Sequence, residues 1–429
     1  MSILPSPVHM MGRLFDGMET YRKSRSGAPP SSTQVFTGRL FDVDPEMGFF
    51  PSQPYRRLPG EFELWEHELE NARSVLKLGE DRGSDAFSKC AKGEEWRQRL
   101  RSWPLLDVRN LGNGIRVLRR AHYVLTCLLH FYVHSLPPYQ AKDRVVIPKP
   151  LSIPLVQVSQ TIDLPPVLTF ADITEENFYL LSAAAELKGV EMLRVFEKIL
   201  NMPYCTDRVG IATLTREFEK LVRIIDELAA ILKNASKTVD PNIFYWMARP
   251  WWNGSDAAAP WVFEGVPSDT PFDLGGASAG QSSVMHALDA FLDIDHALNQ
   301  ARQPAPSAEN RETAAAGFME KMRRYMPVEH RAYLVQLQKR NIRDTMARHS
   351  ELKGPYNAAV EALKAFRSAH IRTGTLFVIS QANSSRPECM GTPDFSAQAK
   401  ADRSRGTGGN PVATLLKGGR DATARAILN

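Results

Sequence analysis

Cysteine is scarce in this 429-residue chain: Cys90, Cys127, Cys205 and Cys389 stand far apart, and no two form a Cys-x-x-Cys pair. That spacing excludes a zinc site built on close cysteine pairs, and a chain long enough to bury a large core has little need of a disulfide framework. Long apolar runs are also missing. The longest, His122 to His134, is interrupted by histidines and falls well short of the roughly 20 residues of a membrane span. The opening Met-Ser-Ile-Leu-Pro lacks the basic and then apolar pattern of a signal peptide. Charge of one sign is missing too: 53 Lys and Arg against 48 Asp and Glu leave a net charge of +5, too small and too evenly spread to point to nucleic acid. No Gly-x-Gly-x-x-Gly turn or Walker loop occurs and Ser283 is not in a Gly-x-Ser-x-Gly elbow, so dinucleotide, nucleoside-triphosphate and serine-hydrolase chemistry have no support. The expected setting is the reducing cytoplasm, with neither a membrane nor a nucleic-acid partner.

What is present fits a soluble globular protein: 43% hydrophobic and 24% charged residues exclude a disordered or collagen-like chain. The length suggests two or three units, or one large helical body with an added lobe. Residues 1–35 are polar and expected to be a loose arm, and Phe41 to Pro59 is rich in Pro and Gly and expected to be irregular. Helical spacing starts near Gly60, with Phe62, Trp65, Leu69 and Ala72, then Trp96, Leu100 and Trp103, then a broad apolar face over Ile115 to His134. Seven prolines between Leu136 and Pro166 predict an extended linker over 137–166. Beyond it, helical stripes run over Thr174–Leu200, Thr215–Lys233 and Tyr356–Ile379. An aromatic-rich helical turn covers Pro241–Met247, and a small-residue loop, Gly275 to Gln281, leads into a further apolar helix. Pro387 to Arg405 reads as a mobile loop ending in Gly406-Thr-Gly-Gly409, and Thr414 to Leu428 as a closing helix. No alternation of period two is sustained. The fold class is therefore all-α: a small N-terminal helical domain over 36–136 and a large helical domain over 167–429.

The chemistry reduces to the ten histidines. His9 lies in the arm, and His67, His330 and His349 sit among charges and are expected to be solvated. His130 and His134 have the i, i+4 spacing of metal ligands, but without a carboxylate partner a structural role is favoured. His286 and His296 read as structural. His370 lies in the stripe Leu363, Phe366, His370, Gly374, Phe377, so it points as the core side chains point. A histidine so placed is usually a hydrogen-bonded core residue. A single imidazole is also what a five-coordinate haem needs, with Gly374 leaving room for a flat macrocycle, but spacing alone favours the core reading.

Five runs together do more. Leu164-Pro-Pro-Val-Leu-Thr-Phe-Ala-Asp172, Gly275-Gly-Ala-Ser-Ala-Gly-Gln-Ser-Ser283, Met322-Arg-Arg-Tyr-Met-Pro327, Arg367-Ser-Ala-His370 and Gly406-Thr-Gly-Gly409 resemble, in order, the indoleamine 2,3-dioxygenase family. The resemblance covers roughly Pro148 to the C-terminus. It implies an all-α fold with haem b in the large domain, O2 as co-substrate, L-tryptophan or a related indole as substrate, an external reductant and a monomer. It further implies that His370 is the proximal iron ligand and that Arg367 pairs with Asp289 to fix the His370 helix. Phe244 is expected to stack on the substrate and Arg249 to hold its carboxylate, to which a planar guanidinium is suited. Phe178 and Ser182 are expected in the substrate pocket, Thr407 closing over it, and Phe170, Ala277, Ser278, Ala279 and Gly280 beside the haem, where small residues permit backbone approach. The chain departs from the family in a segment between Asp172 and Phe178 shorter than in mammalian members, in Phe170 where tyrosine is common, and in Asn410 where a hydroxyl residue is common. No acid–base carboxylate pair or triad is required of the side chains, since the iron carries the oxygen chemistry.

Overall fold

The computed structural model describes residues 36–76, 86–136, 144–175, 180–202, 207–255, 260–296, 317–384, 404–407 and 411–429. The expected N-terminal arm, Phe178 and most of the loop 387–409 lie outside them. The helices are α1 (Glu63–Val75), α2 (Ala86–Arg101), α3 (Ile115–His134), α4 (Lys149–Thr161), α5 (Phe170–Glu175), α6 (Leu180–Leu200), α7 (Arg208–Thr238), α8 (Ser283–Phe291), α9 (Phe318–Arg323), α10 (Val328–Lys339), α11 (Ile342–Ala347), α12 (Ser350–Gly374) and α13 (Val412–Arg425). Two three-residue strands, β1 (Val145–Ile147) and β2 (Trp261–Phe263), pair in parallel. The chain is all-α apart from this pair, which is too short for its alternation to show in the sequence. No helix among the described residues is long and apolar enough to cross a membrane.

Two large apolar cores organise the helices. The first joins Phe196 of α6, Phe218, Leu221 and Ile225 of α7, Phe291 of α8, Tyr333 and Leu337 of α10, and Tyr356, Val360 and Leu363 of α12. On α7 the buried residues Leu214, Phe218, Leu221, Ile225 and Leu228 recur every three or four positions, which keeps one face of a 31-residue helix against its neighbours. Asp207 caps that helix by accepting the Gly210 N–H at 2.6 Å. The second core joins Trp65 of α1, Trp96 of α2, Leu125 and Leu128 of α3, Leu151 and Val158 of α4, Trp261 and Phe263 of β2, and Tyr325 after α9. Phe36, Val43 and Phe49, early in the chain, belong to the first core and not the second.

The proline count misleads over residues 149–161, where a helix stands in place of the expected extended linker. Pro150 lies in the first turn, where its missing N–H has no intrahelical acceptor in any case. Pro154 removes one helical hydrogen bond, an intrinsic cost of about 3 kcal/mol, but its ring is buried with Leu151, Leu155 and Val158, and that burial offsets the loss. His330 is a second correction. It is buried, 3% exposed, because it opens the inward stripe His330, Tyr333, Leu334, Leu337 of α10. Its ring meets that of Phe49 edge-on at 4.8 Å.

Candidate functional site

Three stretches distant in sequence meet around a small apolar cluster of Leu168, Trp252 and Ala277, against which Phe244, Ala248, Trp251 and Cys127 pack. Residues 240–252 form its first wall. Asp240 accepts the Asn242 N–H at 2.7 Å and the Ile243 N–H at 3.1 Å, starting a helical turn with Pro241 in the first position that tolerates it. The chain then widens to a π-turn over Phe244–Ala248 and tightens to a 3-10 turn over Arg249–Trp252. Such local departures from α geometry re-aim side chains and recur at functional sites. Phe244 lies 5.6 Å from Trp252 and 5.4 Å from Phe377, the latter at 90°.

Arg249 is 9% exposed, sits 5.1 Å above the Tyr245 ring and donates to the Arg405 carbonyl. Burial pulls its pKa below the ordinary arginine value. It has no acidic partner among the described residues. A buried cation without a counter-charge is costly, and an anion brought to it removes that cost.

The second wall is the small-residue loop. Its glycines serve backbone crossings within the protein. A Cβ on Gly276 would fall 1.7 Å from the Trp252 carbonyl oxygen, 2.7 Å from the Gly254 nitrogen and 2.8 Å from the Thr407 carbonyl oxygen. Gly275 donates to the Tyr325 hydroxyl at 2.8 Å. Ala277 is buried, Ser278 half-buried and accepting the Gly280 N–H at 3.2 Å, Ala279 exposed, and Gly280 against Phe318 and Met322. Thr407 docks on the same loop: its hydroxyl donates to the Ala277 carbonyl at 2.5 Å, and its carbonyl accepts the Gly276 N–H at 3.0 Å.

The third wall is 164–172, where α3 does the fastening. His130 Nδ1–H donates to the Trp251 carbonyl at 2.8 Å while its Nε2 accepts the Leu168 N–H at 3.3 Å. One neutral ring thereby joins two walls, and burial lowers its pKa to about 4. His122 is the reverse case. Its two ring nitrogens face acceptors only, the Asp172 carboxylate at 3.1 Å and the Pro165 carbonyl at 3.0 Å, which calls for the doubly protonated ring. Burial opposes that charge, but Asp172 and the carbonyl outweigh it and raise the pKa. Neither histidine is a metal ligand here. No group of three or more His, Cys, Asp or Glu side chains placed to hold an ion occurs among the described residues.

Phe170 does not join this cluster. It is buried, with its N–H on Gln281 Oε1 at 2.8 Å, and lines a cavity of about 20 Å3 with Glu186, Ser283 and His330. Leu168, two residues earlier, is the member of that run that joins Ala277 in the cluster against which Phe244 packs. Ser182 is half-buried in the first turn of α6, one turn before Glu186. Glu186 is buried and accepts a hydrogen bond from Ser282, and burial pushes its pKa up to about 7.

His370 is half-buried on α12 and makes no hydrogen bond among the described residues. Burial, then the Arg367 charge, lowers its pKa to about 4, so the imidazole is neutral at pH 7. A neutral imidazole with no protein partner is the donor that haem iron takes. The room at Gly374 is taken by the protein itself: a Cβ there would lie 2.7 Å from the Leu416 side chain of α13. Arg367 is ion-paired to Asp289 of α8 and also donates to the Gly419 carbonyl at 2.9 Å and to the Thr423 hydroxyl. Asp289 takes a second bond from His296 at 2.7 Å. Burial works to raise the Asp289 pKa, but Arg367 and His296 hold it well below the usual carboxylate range. Three elements, α8, α12 and α13, are thus tied at one buried charge. His286, at 2.9 Å from the Gly280 carbonyl, fixes the end of the small-residue loop.

Sequence reasoning missed Leu168, Trp252 and Phe377 as neighbours of Phe244, and the Arg405 carbonyl as partner of Arg249. Leu168 at least lay within a family run, whereas the other pairings carry no local signal.

The family model described as indoleamine 2,3-dioxygenase matches residues 38–174 and 172–426. The chain belongs to the indoleamine 2,3-dioxygenase family. Its relatives include indoleamine 2,3-dioxygenase 2 of Mus musculus, 29% identical over 90% of this chain and 95% of that protein. The indoleamine 2,3-dioxygenase of Saccharomyces cerevisiae is 26% identical over 74% of this chain and 80% of its own. A protein named myoglobin from Haliotis madaka is 26% identical over 90% and 97%. The family match extends through the N-terminal helices, beyond the segments that carry the resemblance in the sequence.

Proposed function

We propose that this family member is a haem-dependent dioxygenase that inserts O2 across the indole C2–C3 bond of L-tryptophan, giving N-formylkynurenine. The observation that carries the substrate is Arg249, a buried guanidinium lacking an acidic partner among the described residues and standing one short turn from the aromatic cluster of Phe244 and Trp252. A molecule with a flat apolar ring and a carboxylate matches both halves. When bound, haem b supplies the iron that takes up O2 and carries the oxygen chemistry.

The protein's own part is placement. His370 offers the iron a neutral imidazole, and the Arg367–Asp289 pair holds the helix that carries it. Phe244, Trp252 and Leu168 give the indole an apolar surround and exclude water. Arg249 takes the substrate carboxylate through two parallel hydrogen bonds, exchanging the Arg405 carbonyl for a charged acceptor. Thr407 keeps the 404–407 segment closed over Ala277. Phe178 and Ser182 belong to the substrate pocket in the same reading, on the resemblance alone. No side-chain acid or base takes part. An external reductant, a monomeric state and a cytoplasmic setting belong to the same reading and rest on the sequence.

A second reading, a haem protein that binds O2 with little turnover, is favoured by the relatives named myoglobin. Turnover by reduced, haem-loaded protein on a panel of indoles separates the two. Stoichiometric N-formylkynurenine from L-tryptophan supports the first, and reversible O2 binding without product supports the second. Another indole turned over in its place would move the substrate and keep the chemistry. A Soret band that survives in His370→Ala would remove His370 as the iron ligand.

A further inference from the structure

Away from this cluster, where α3 ends and the two strands pair, a cavity of about 560 Å3 opens to the surface. That volume lies within the range of small-molecule sites. Its polar lining is almost wholly donors. Arg144 and the side chain of Lys149 have no acidic partner among the described residues, and both are exposed. Tyr132, 3% exposed, accepts from Arg101 at 3.0 Å, which leaves its own O–H to donate. The parallel ladder directs the amides of Val145 and Glu264 to the partner strand, at 3.0 Å each, so the intervening Val146 N–H points outward from the edge of β1.

Against these stands one carboxylate, Glu264, which accepts the Lys149 backbone N–H at 3.3 Å. Arg101 is already satisfied by Glu94 and Tyr132. Among the described residues, the mouth holds two cations without an ion-pair partner over a hydroxyl donor, with Val146 and the prolines at 148 and 150 supplying apolar wall.

We infer that this cavity is a binding site for a small organic anion, a carboxylate or phosphate monoester carried on a compact apolar body. The oxyanion sits between Arg144 and Lys149 and takes the Tyr132 O–H, and the apolar body lies against Val146 and the prolines. The site is separate from the Arg249 cluster and does not depend on the reaction proposed there.

Isothermal titration of the full-length, haem-loaded protein with phenyl phosphate, benzoate and inorganic phosphate at fixed ionic strength tests it. Expected are saturable binding of phenyl phosphate or benzoate and at least tenfold weaker binding in Arg144→Ala/Lys149→Ala. Tyr132→Phe should give a smaller loss, and Arg249→Ala should bind as the parent does. Both cations are exposed, so the double variant should fold, and circular dichroism checks this. No saturable binding by the parent, or equal binding by the double variant, overturns the proposal. Loss in Arg249→Ala alone would place the anion at the tryptophan site and overturn it equally. Inorganic phosphate binding as tightly as phenyl phosphate would overturn the role of the apolar wall.

Discussion

Phe244 and Phe377 meet edge to face, their ring centroids 5.4 Å apart and their planes at 90°. Each stands in a five-residue π-turn, Phe244 at the start of the turn that leads to Arg249 and Phe377 in the one that continues the His370 helix. The pair links the wall expected to hold the indole to the helix expected to hold the iron. An aromatic pair contributes about 0.5–1.5 kcal/mol beyond its buried area. In Phe377→Leu the tryptophan KM should rise by roughly twofold to tenfold on that figure, with haem content unchanged. A variant that loses haem and keeps its KM would show that Phe377 serves α12 alone.

Truncating Arg249 should act on the carboxylate specifically. A hydrogen bond to a charged group is worth about 1.5–3 kcal/mol, so Arg249→Ala should raise the tryptophan KM by roughly tenfold to 100-fold. An indole without a carboxylate should bind the parent and the variant alike. Spectral titration of both proteins with both compounds checks this, and an unchanged tryptophan constant would remove Arg249 from the site.

Asp289→Asn leaves Arg367 as a buried cation without its partner. Breaking a buried pair in this way costs about 3–5 kcal/mol. Urea unfolding at pH 7 should register a loss of that order. Because the Asp289 pKa is depressed, the pair's contribution is full above the ordinary aspartate range and is lost as pH falls from that range toward the depressed value. The gap between parent and variant should therefore stay constant from pH 8 to pH 5 and narrow below about pH 4.

The buried histidines set the pH dependence above that. His130 and His286, held to about 4, and His330, to about 3, are neutral in the fold and titrate near pH 6.5 when unfolded. Their stability is present above about pH 6.5 and lost as pH falls toward their folded values. His122 has the opposite sign: its raised pKa contributes fully below about pH 6.5 and fades as pH rises. Unfolding free energy should fall from pH 8 to pH 5. It should fall more steeply in His122→Gln, with the added slope arising mainly between pH 8 and pH 6. Parallel curves would show that His122 is not charged in the fold.

The helical stripes, the small-residue loop and the Arg367–Asp289 pairing were legible in the sequence, because each is a local pattern or a family run. His330 was not, since its charged neighbours Glu329 and Arg331 hid a stripe that starts with it. Helix α4 was hidden by prolines whose cost depends on where in the helix they fall. The meeting of Arg249 with the Arg405 carbonyl joins residues 156 apart, and no spacing rule reaches that far. Phe170 was assigned through its run, and the residue of that run in the cluster against which Phe244 packs is Leu168. A resemblance fixes a segment more firmly than it fixes which of its side chains faces inward.

At Gly276 three lengths of main chain cross with no side chain between them: the turn after Arg249, the small-residue loop and the segment carrying Thr407. The crossing acts as a rivet. The side chains around it are open to exchange, and through them the pocket's shape and chemistry, but the frame that presents them moves only as one piece. New substrate preferences on this scaffold would come from repainting the walls and not from rehanging them.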